Sequence, residues 1–223
     1  MLKENLEKVL SEISAGNNLG EEITLVGATK TMPVEVINQA ISLGLKVVAE
    51  NKVQEFNLKT DFIKNGRQHF IGHLQTNKVK YLVGKVELIH SVDSLRLAQE
   101  IDRVAKNRGV IQDVLAEINV GGELSKSGFD LSNARENVLK IASEYKNVRI
   151  KGLMAMLPHS DDESLLATLT KTMRDLFDQL KECGLPFTYL SVGMSGDYKV
   201  AIKNGSNMIR LGRTIFGERN YGG

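Results

Sequence analysis

The chain has 223 residues, of which 42% are hydrophobic and 25% charged, the balance of an ordinary globular protein. Its 29 basic and 27 acidic residues are interspersed and leave a net charge of +2, so we expect neither a nucleic-acid nor a membrane partner. The one cysteine, Cys183, excludes an internal disulfide and favours a reducing compartment. No apolar run approaches the ~20 residues of a membrane span. We therefore expect a cytoplasmic protein.

The N-terminal segment MLKENLEKVLSEISAG alternates charges with Leu, Val and Ile at helical spacing, which predicts an amphipathic helix rather than a signal peptide. Short apolar runs then alternate with longer amphipathic stretches. The predicted strands are 23–29, 46–49, 68–72, 87–91, 114–120, 150–156, 188–192 and 208–211. The predicted helices are 33–43, 75–83, 94–108, 132–145 and 164–183, with Asp93 and Asp130 at N-cap positions.

Most of these strands are near-continuous apolar runs, as expected where helices cover one face and a packed interior the other. About eight β/α units in a chain of this length favour a single TIM-type (β/α)8 barrel with an extra N-terminal helix. Residues 1–223 then form one domain. A doubly wound sheet is the alternative, because periodicity does not show closure.

Lys30 ends the first predicted strand, in the segment TLVGATK. A lysine there reaches the top of a barrel while its stem contacts apolar neighbours. Partial desolvation lowers the pKa of such an amine and makes it available for attack on a carbonyl group. The alternative is a lysine that only extends to solvent at the barrel rim, and the position of Lys30 taken alone favours this simpler interpretation.

Two glycine-bearing turns follow predicted strands seven and eight, in LSVGMSGD (190–197) and MIRLGR (208–213). Glycines allow close backbone approach, a following helix N-terminus attracts an anion, and Ser195 adds a hydroxyl. Barrels often bind phosphate at these two turns. Together with Lys30, they suggest a ligand that carries a phosphate and an aldehyde. The alternative is a pair of tight turns with Asp197 as a helix cap.

Arg210 lies inside an apolar strand, where an unpaired guanidinium is very costly to bury. It therefore needs an acceptor, which can be a carboxylate, a phosphate or a ring nitrogen. A structural salt bridge to Glu50 or Glu218 is the alternative.

Two other kinds of site fit poorly. The segment 193–197 resembles a nucleophile elbow but ends in Asp, and no histidine follows Ser195, so the α/β-hydrolase order fails. His69 and His73 lie about 13 Å apart on one predicted strand at ~3.3 Å per residue and cannot share a metal ion. We expect no metal, a structural or exposed His69, and His73 at the site end of its strand.

Eight segments in matching order carry a family resemblance: LVGATKTMP, AENKVQE, HFIGHLQTNKVKYL, IHSVDSLRLA, SKSGF, GLMAM, LSVGMSGD and MIRLGRTIFGERNY. Between about Leu25 and Tyr221, the chain resembles the YggS/PROSC family of pyridoxal phosphate homeostasis proteins. That family is similar in fold to the N-terminal barrel domain of bacterial alanine racemase.

The resemblance implies a role for each matching residue. Lys30 matches the lysine that forms a Schiff base with pyridoxal 5′-phosphate, and Arg210 matches the arginine facing the pyridine nitrogen. Asn51 matches an asparagine beside the cofactor. The phosphate-binding residues are matched by Ser195, Gly196, Gly212, Arg213 and Thr214. We also expect Met154, His73 and Asn119 to line the pocket.

The departures from the family pattern are few: Ala49 stands where glycine is expected, Lys52 where an aromatic residue is expected, and Val192 where Met or Leu is commoner. The resemblance ends almost with the chain. Alanine racemase has a further β domain whose partner subunit supplies a tyrosine base, and we expect no such base here. The resemblance therefore implies a monomeric, non-catalytic binding protein that stores, buffers or delivers the cofactor in vitamin B6 homeostasis, with apo-enzymes as partners. A weak racemase or related enzyme, and a regulatory module that reports its cofactor-loaded state, are the alternatives.

Overall fold

The computed structural model describes residues 1–123 and 125–217; Glu218 and Tyr221, which entered the sequence reasoning, lie outside the described residues. The strands are β1 (Thr24–Ala28), β2 (Val47–Glu50), β3 (Arg67–Phe70), β4 (Leu88–Val92), β5 (Gln112–Asn119), β6 (Phe129–Asp130), β7 (Val148–Ala155), β8 (Tyr189–Val192) and β9 (Met208–Leu211). The α-helices are α1 (Leu2–Ile13), α2 (Val34–Ser42), α3 (Val53–Lys59), α4 (Leu95–Arg108), α5 (Leu131–Glu144), α6 (Glu163–Glu182), α7 (Tyr198–Lys203) and α8 (Arg213–Phe216). Two 3₁₀-helices span Thr60–Phe62 and Thr76–Tyr81.

The strands close into a barrel. Parallel pairing runs β1-β2-β3-β4-β5-β7-β8-β9, and β9 returns to β1. The two-residue strand β6 pairs with β5 outside this ring. The predicted TIM-type barrel with an additional N-terminal helix is thus confirmed, and the doubly wound alternative is wrong.

The barrel interior is apolar in its lower layers. Its cluster of buried side chains comprises Val26, Val47, Ala49, Leu88, Leu115, Met154 and Met208. Laterally paired residues on parallel strands face the same side, and residues two apart on one strand share a face. This parity identifies which polar side chains also point to the barrel axis, closer to the carboxyl ends of the strands.

The amphipathic pattern of the N-terminal segment has a clear structural counterpart. The buried face of α1 carries Leu6, Val9 and Ile13, and these side chains pack in one cluster with Ile37 of α2 and Ile215 of α8. In the described part of the chain, none of the helices combines the length and apolar character needed to cross a membrane.

The helix predicted at 75–83 is wrong in type. The segment Thr76–Tyr81 is a 3₁₀-helix, with bonds such as Leu82 N–H to the Val79 carbonyl at 3.0 Å. Val79 and Leu82 are fully buried, and their spacing of three matches the repeat of a 3₁₀-helix.

The N-cap of α4 also differs from the prediction. Ser94, not Asp93, caps the helix, because its hydroxyl accepts a hydrogen bond from the Leu97 N–H at 3.3 Å. The Asp93 carboxylate instead accepts one from the Ser94 hydroxyl at 3.0 Å. Asp130 does precede α5, but its side chain makes no capping hydrogen bond there.

Candidate functional site

Lys30 follows β1, and Arg210 lies on the neighbouring strand β9. Val26 of β1 pairs with Arg210, and the twofold alternation along β1 directs residues 26 and 28 to the barrel axis. Lys30 is half-buried in the turn that follows β1. The next turn lies close by, since a Cβ atom on Gly212 would be 3.5 Å from the Ala28 carbonyl oxygen. The turn that carries Lys30 and the turn after β9 are thus adjacent at one end of the barrel.

The turns after β8 and β9 meet at Ser195. Its hydroxyl oxygen accepts from the Thr214 N–H at 3.5 Å. Gly193 has φ +110°, and a Cβ atom there would lie 2.9 Å from the Tyr198 Cα, so only glycine fits this turn. A Cβ on Gly196 would meet nothing within 4 Å, which leaves its backbone open. The structure therefore brings together the predicted phosphate-binding residues Ser195, Gly196, Gly212, Arg213 and Thr214.

Asn51 directly follows β2, and Asn119 is the last residue of β5. Both therefore lie at the carboxyl end of the barrel strands. The Oδ1 atoms of both are buried, and no protein donor among the described residues pairs with them. The Asn119 amide nitrogen does have partners, because it donates to the Glu123 and Lys126 carbonyls. A buried amide oxygen without a donor is costly unless a ligand or water completes its bonding. The backbone at Gly72 packs directly against Asn51. A Cβ atom at residue 72 would be 1.9 Å from the Asn51 carbonyl oxygen, so only glycine allows this approach.

Arg210 is buried and held by neutral oxygens. One terminal nitrogen, Nη1, donates to the Ser191 carbonyl at 2.7 Å and to the Ser191 hydroxyl at 2.6 Å. The other, Nη2, donates to the Ala155 carbonyl at 2.9 Å. The alternative of a salt bridge to Glu50 is wrong, because Glu50 pairs with Lys59. Glu218, the other candidate, lies outside the described residues.

This arrangement leaves bonding capacity for a ligand. A guanidinium has five N–H groups, and three of them have the protein acceptors just named. Within residues 1–123 and 125–217, no protein acceptor is bonded to the remaining two N–H groups of Arg210. Burial lowers the pKa of Arg210 to about 10, although Glu117 and Asp197 oppose the shift. Arg210 is therefore charged at neutral pH, and its remaining N–H groups can donate to an acceptor on a ligand.

Two histidines lie behind Arg210 inside the barrel. His90 Nδ1 is 3.4 Å from the Ser191 hydroxyl oxygen, and His90 Nε2 is 3.0 Å from His69 Nδ1. Burial lowers the pKa of His69 to about 3 and the pKa of His90 well below its ordinary value. Both imidazoles are therefore neutral, and they fill the space behind the arginine without adding a like charge.

Glu117 of β5 also faces the barrel axis, since it pairs with Met154, which in turn pairs with Ser191. It is buried, and burial, with a smaller effect of Asp93, raises its pKa to about 7; Arg210 opposes this shift. The carboxyl is thus close to half-protonated at neutral pH. Sequence reasoning missed Glu117, His90 and Ser191, although their twofold spacing from other inward-facing residues is the signal that identifies them.

His73 lies beyond its strand rather than at its end. The strand β3 ends at Phe70, and the exposed His73 ring contacts Ser127 and Asp93, each at 3.3 Å. His69 is fully buried. Of the two expectations for this residue, a structural or an exposed position, the exposed one is therefore wrong. Met154 belongs to the apolar interior cluster, beneath the candidate site.

The turn that carries Lys30 has an unusual backbone. Thr31 has φ +67°, a left-handed conformation that costs a β-branched residue roughly 1–3 kcal/mol. Its N–H donates to Glu55 Oε2 at 2.8 Å. On the other side of Lys30, the Thr29 carbonyl accepts from Lys59 Nζ at 3.1 Å. Both flanks of the lysine are thus bonded to side chains of α3.

The comparisons with known proteins agree with this geometry. Residues 21–220 match the family model described as alanine racemase, N-terminal domain. A protein of Aquifex aeolicus named pyridoxal phosphate homeostasis protein is 42% identical over 221 residues, which cover 98% of this chain and 95% of the relative. The chain belongs to the pyridoxal phosphate homeostasis protein family. The resemblance found from the sequence motifs is thereby confirmed.

Solved structures extend the comparison. PipY of Synechococcus elongatus, in its structure with PLP bound, superposes with a TM-score of 0.86 at 28% identity, covering 97% of this chain and 100% of PipY. An alanine racemase of Clostridium difficile superposes with a TM-score of 0.78 at 19% identity, covering 98% of this chain and 58% of the racemase. The latter similarity shows a shared barrel fold only.

The raised pKa of Glu117 predicts a pH-dependent stability. Because its carboxyl binds a proton more tightly folded than unfolded, its stabilising contribution is complete below about pH 4.5 and is lost as pH rises through about 7. Glu117→Gln cannot titrate. We expect its unfolding free energy, relative to the wild type, to rise by roughly 2–3 kcal/mol between pH 5 and pH 8.

Urea unfolding at the two pH values measures this difference. Glu35→Gln, at an exposed glutamate of α2, is the control. Its unfolding free energy should differ from that of the wild type by the same amount at pH 5 and at pH 8. A pH-independent effect of Glu117→Gln would contradict the prediction.

Proposed function

We propose that this protein binds pyridoxal 5′-phosphate as a Schiff base on Lys30 and stores, buffers or delivers it without catalysing a reaction of its own. The barrel of residues 1–223 then acts as one cofactor-binding domain, as a cytoplasmic monomer with apo-enzymes as recipients. The observation that carries the proposal is the β1–β9 register: it supports the proposal because the turn after β1, which carries the half-buried lysine, and the turn after β9 follow paired strands at one end of the barrel.

The residues fit the chemical groups of this cofactor. The turns that meet at Ser195 and Thr214 offer backbone N–H groups and a hydroxyl to a phosphate. Arg210 retains donors for the ring nitrogen. The unpaired amide of Asn51 offers a partner to a polar ring substituent. The PLP-bound structure of PipY, which is 28% identical, supports the assignment.

Lys30 would act through its neutral amine. The cofactor would supply a reactive aldehyde, and the lysine nitrogen would bond to its carbon with loss of one water molecule. Addition of water would return the aldehyde and the lysine amine, whereas exchange with another amine would pass the aldehyde carbon to that amine. The protein would govern how tightly and in what orientation the aldehyde is held.

One observation favours binding over catalysis: the relatives that the chain matches over nearly its full length are named for homeostasis of the cofactor. The second candidate, a weak amino-acid racemase, is supported by the alanine racemase family model.

We expect borohydride to reduce the imine and fix a pyridoxyl group on the peptide that contains Lys30. Lys30→Ala should lack the imine's visible absorbance and this modification, because no other amine occupies that turn. Lys52→Ala, at an exposed lysine next to the site, is the matched control and should be labelled as the wild type is. Peptide mass spectrometry gives the answer, and labelling confined to another lysine would refute the assignment.

Removal of one phosphate donor should weaken binding by a moderate amount. Ser195→Ala is expected to cost about 1.5–3 kcal/mol of cofactor binding, the value of a hydrogen bond to a charged group. Pyridoxal, which has no phosphate, should bind the wild type far more weakly than pyridoxal 5′-phosphate does. Its affinity should be the same for the wild type and for Ser195→Ala. Equilibrium titration followed by absorbance tests both. Equal affinity for pyridoxal and its phosphate would show that the two turns are structural only.

The non-catalytic part of the proposal is tested by turnover. Loaded protein incubated with each common amino acid should show no racemisation, transamination or decarboxylation above that of free cofactor, because catalysed proton transfer needs a positioned base. It should nonetheless reactivate an apo-enzyme. Enantiomer ratio and keto-acid formation are measured. Multiple turnovers that vanish in Lys30→Ala would make the protein an enzyme.

A further inference from the structure

The turn that carries Lys30 is bonded to one face of α3. Glu55 and Lys59 are four residues apart on this helix and form an ion pair of 3.0 Å, as neighbours on a helix surface can. The Lys59 ammonium also donates to Glu50 Oε1 at 2.8 Å and to the Thr29 carbonyl at 3.1 Å. All three of its protons thus have acceptors.

This network lies largely out of water. The side chains of Glu50, Lys59 and Glu55 are 3%, 13% and 22% exposed. Burial raises the pKa of Glu50 despite its bonds to Lys59 and Thr29. The pKa of Glu55 is lowered: burial opposes the change, but the bonds from the Thr31 N–H and from Lys59 outweigh it. Glu55 is therefore held ionised beside the turn.

The network bonds to both residues that flank Lys30. The Thr29 hydroxyl donates to Glu50 Oε1 at 2.8 Å, and the Thr29 N–H donates to the Ala49 carbonyl at 2.9 Å. The Thr31 N–H donates to Glu55 at 2.8 Å. The Thr31 side chain is exposed, so its own packing does not account for a left-handed backbone. The hydrogen bond to an ionised carboxylate does account for it.

We propose that Glu55 is a positioning residue for Lys30: with Lys59, it holds Thr31 in the left-handed conformation and so directs the lysine amine toward the site. The proposal rests on the proposed function, because it assigns a role in forming the Lys30 imine. The bonds of Glu55 run to the Thr31 backbone and to Lys59 rather than to the turns after β8 and β9, so its loss should slow imine formation without weakening non-covalent binding.

The test separates these two steps. Imine formation with pyridoxal 5′-phosphate is followed by stopped-flow absorbance, and non-covalent binding by titration with pyridoxine 5′-phosphate, which has an alcohol in place of the aldehyde. Glu55→Ala should slow imine formation about tenfold, the loss of a charged hydrogen bond, and change the affinity for the alcohol less than about threefold. Glu35→Ala, at the exposed glutamate of α2, should alter neither.

A second substitution tests whether the effect acts through Thr31. Glycine adopts a left-handed backbone without steric cost, so Thr31→Gly should leave the unfolding temperature of the cofactor-free protein unchanged or raise it. In the Thr31→Gly background, Glu55→Ala should slow imine formation less than about threefold. An equal effect in both backgrounds, or equal losses in imine formation and affinity for the alcohol, would overturn the proposal.

Two further measurements keep the outcome decisive. If Glu55→Ala does not fold, Glu55→Gln retains an acceptor for the Thr31 N–H but not the charge, and should slow imine formation about threefold. An unchanged rate would overturn the proposal. Borohydride labelling of the wild type is done first: labelling away from Lys30 refutes the proposed function, whereas labelling at Lys30 with an unaffected Glu55→Ala refutes only the role of Glu55.

Discussion

A guanidinium inside a closed barrel is the constraint on which the site depends. Arg210 is 5% exposed, and removing its charge from water is expensive unless hydrogen bonds replace the lost solvent. Carbonyl and hydroxyl oxygens of β7 and β8 replace part of it. Because these acceptors are neutral, the charge is solvated but not neutralised, and it remains available to an acceptor at the carboxyl ends of the strands.

The neighbours of Arg210 are consistent with this charge. A fully ionised carboxylate at Glu117 would compete with a ligand for the remaining N–H groups, but burial raises the pKa of that carboxyl to about 7. The histidines behind the arginine are kept neutral, again mainly by burial. Desolvation therefore keeps the two imidazoles neutral and Glu117 partly protonated, so that the positive charge of Arg210 is only partly opposed. The apolar layers below, from Val26 to Met208, make this desolvation possible.

The sequence predicted the barrel because its strands are short apolar runs bounded by glycines and caps, and that signal is local. The position of Lys30 and the turns at Ser195 and Gly212 could be predicted for the same reason. Their roles in binding stay predictions. His90, Ser191 and Glu117 were missed because each lies in a run of residues typical of a buried strand. Their twofold spacing places them on one face of their strands, and the register across the barrel shows that this face also carries Arg210.

Other features depend on tertiary contacts. The helix α3 has seven residues, too few for a reliable amphipathic pattern. A threonine gives no sign of a left-handed backbone, since β-branched residues disfavour it. That conformation follows from a carboxylate 24 residues further along the chain.

The bonds around Thr31 also bear on how a reactive lysine is combined with a stable fold. Ordering a long lysine side chain costs about 1.5–2 kcal/mol in conformational entropy, and tying the backbone on both sides reduces what remains to be ordered when a ligand binds. Here the ties come from α3 and β2, which belong to the wall of the barrel rather than to a mobile loop. The strain at Thr31 is offset by bonds among Glu50, Glu55 and Lys59, so it does not draw on contacts with a ligand. Bonds of this kind within the protein suit the proposed function, in which one site takes up and releases its cofactor repeatedly.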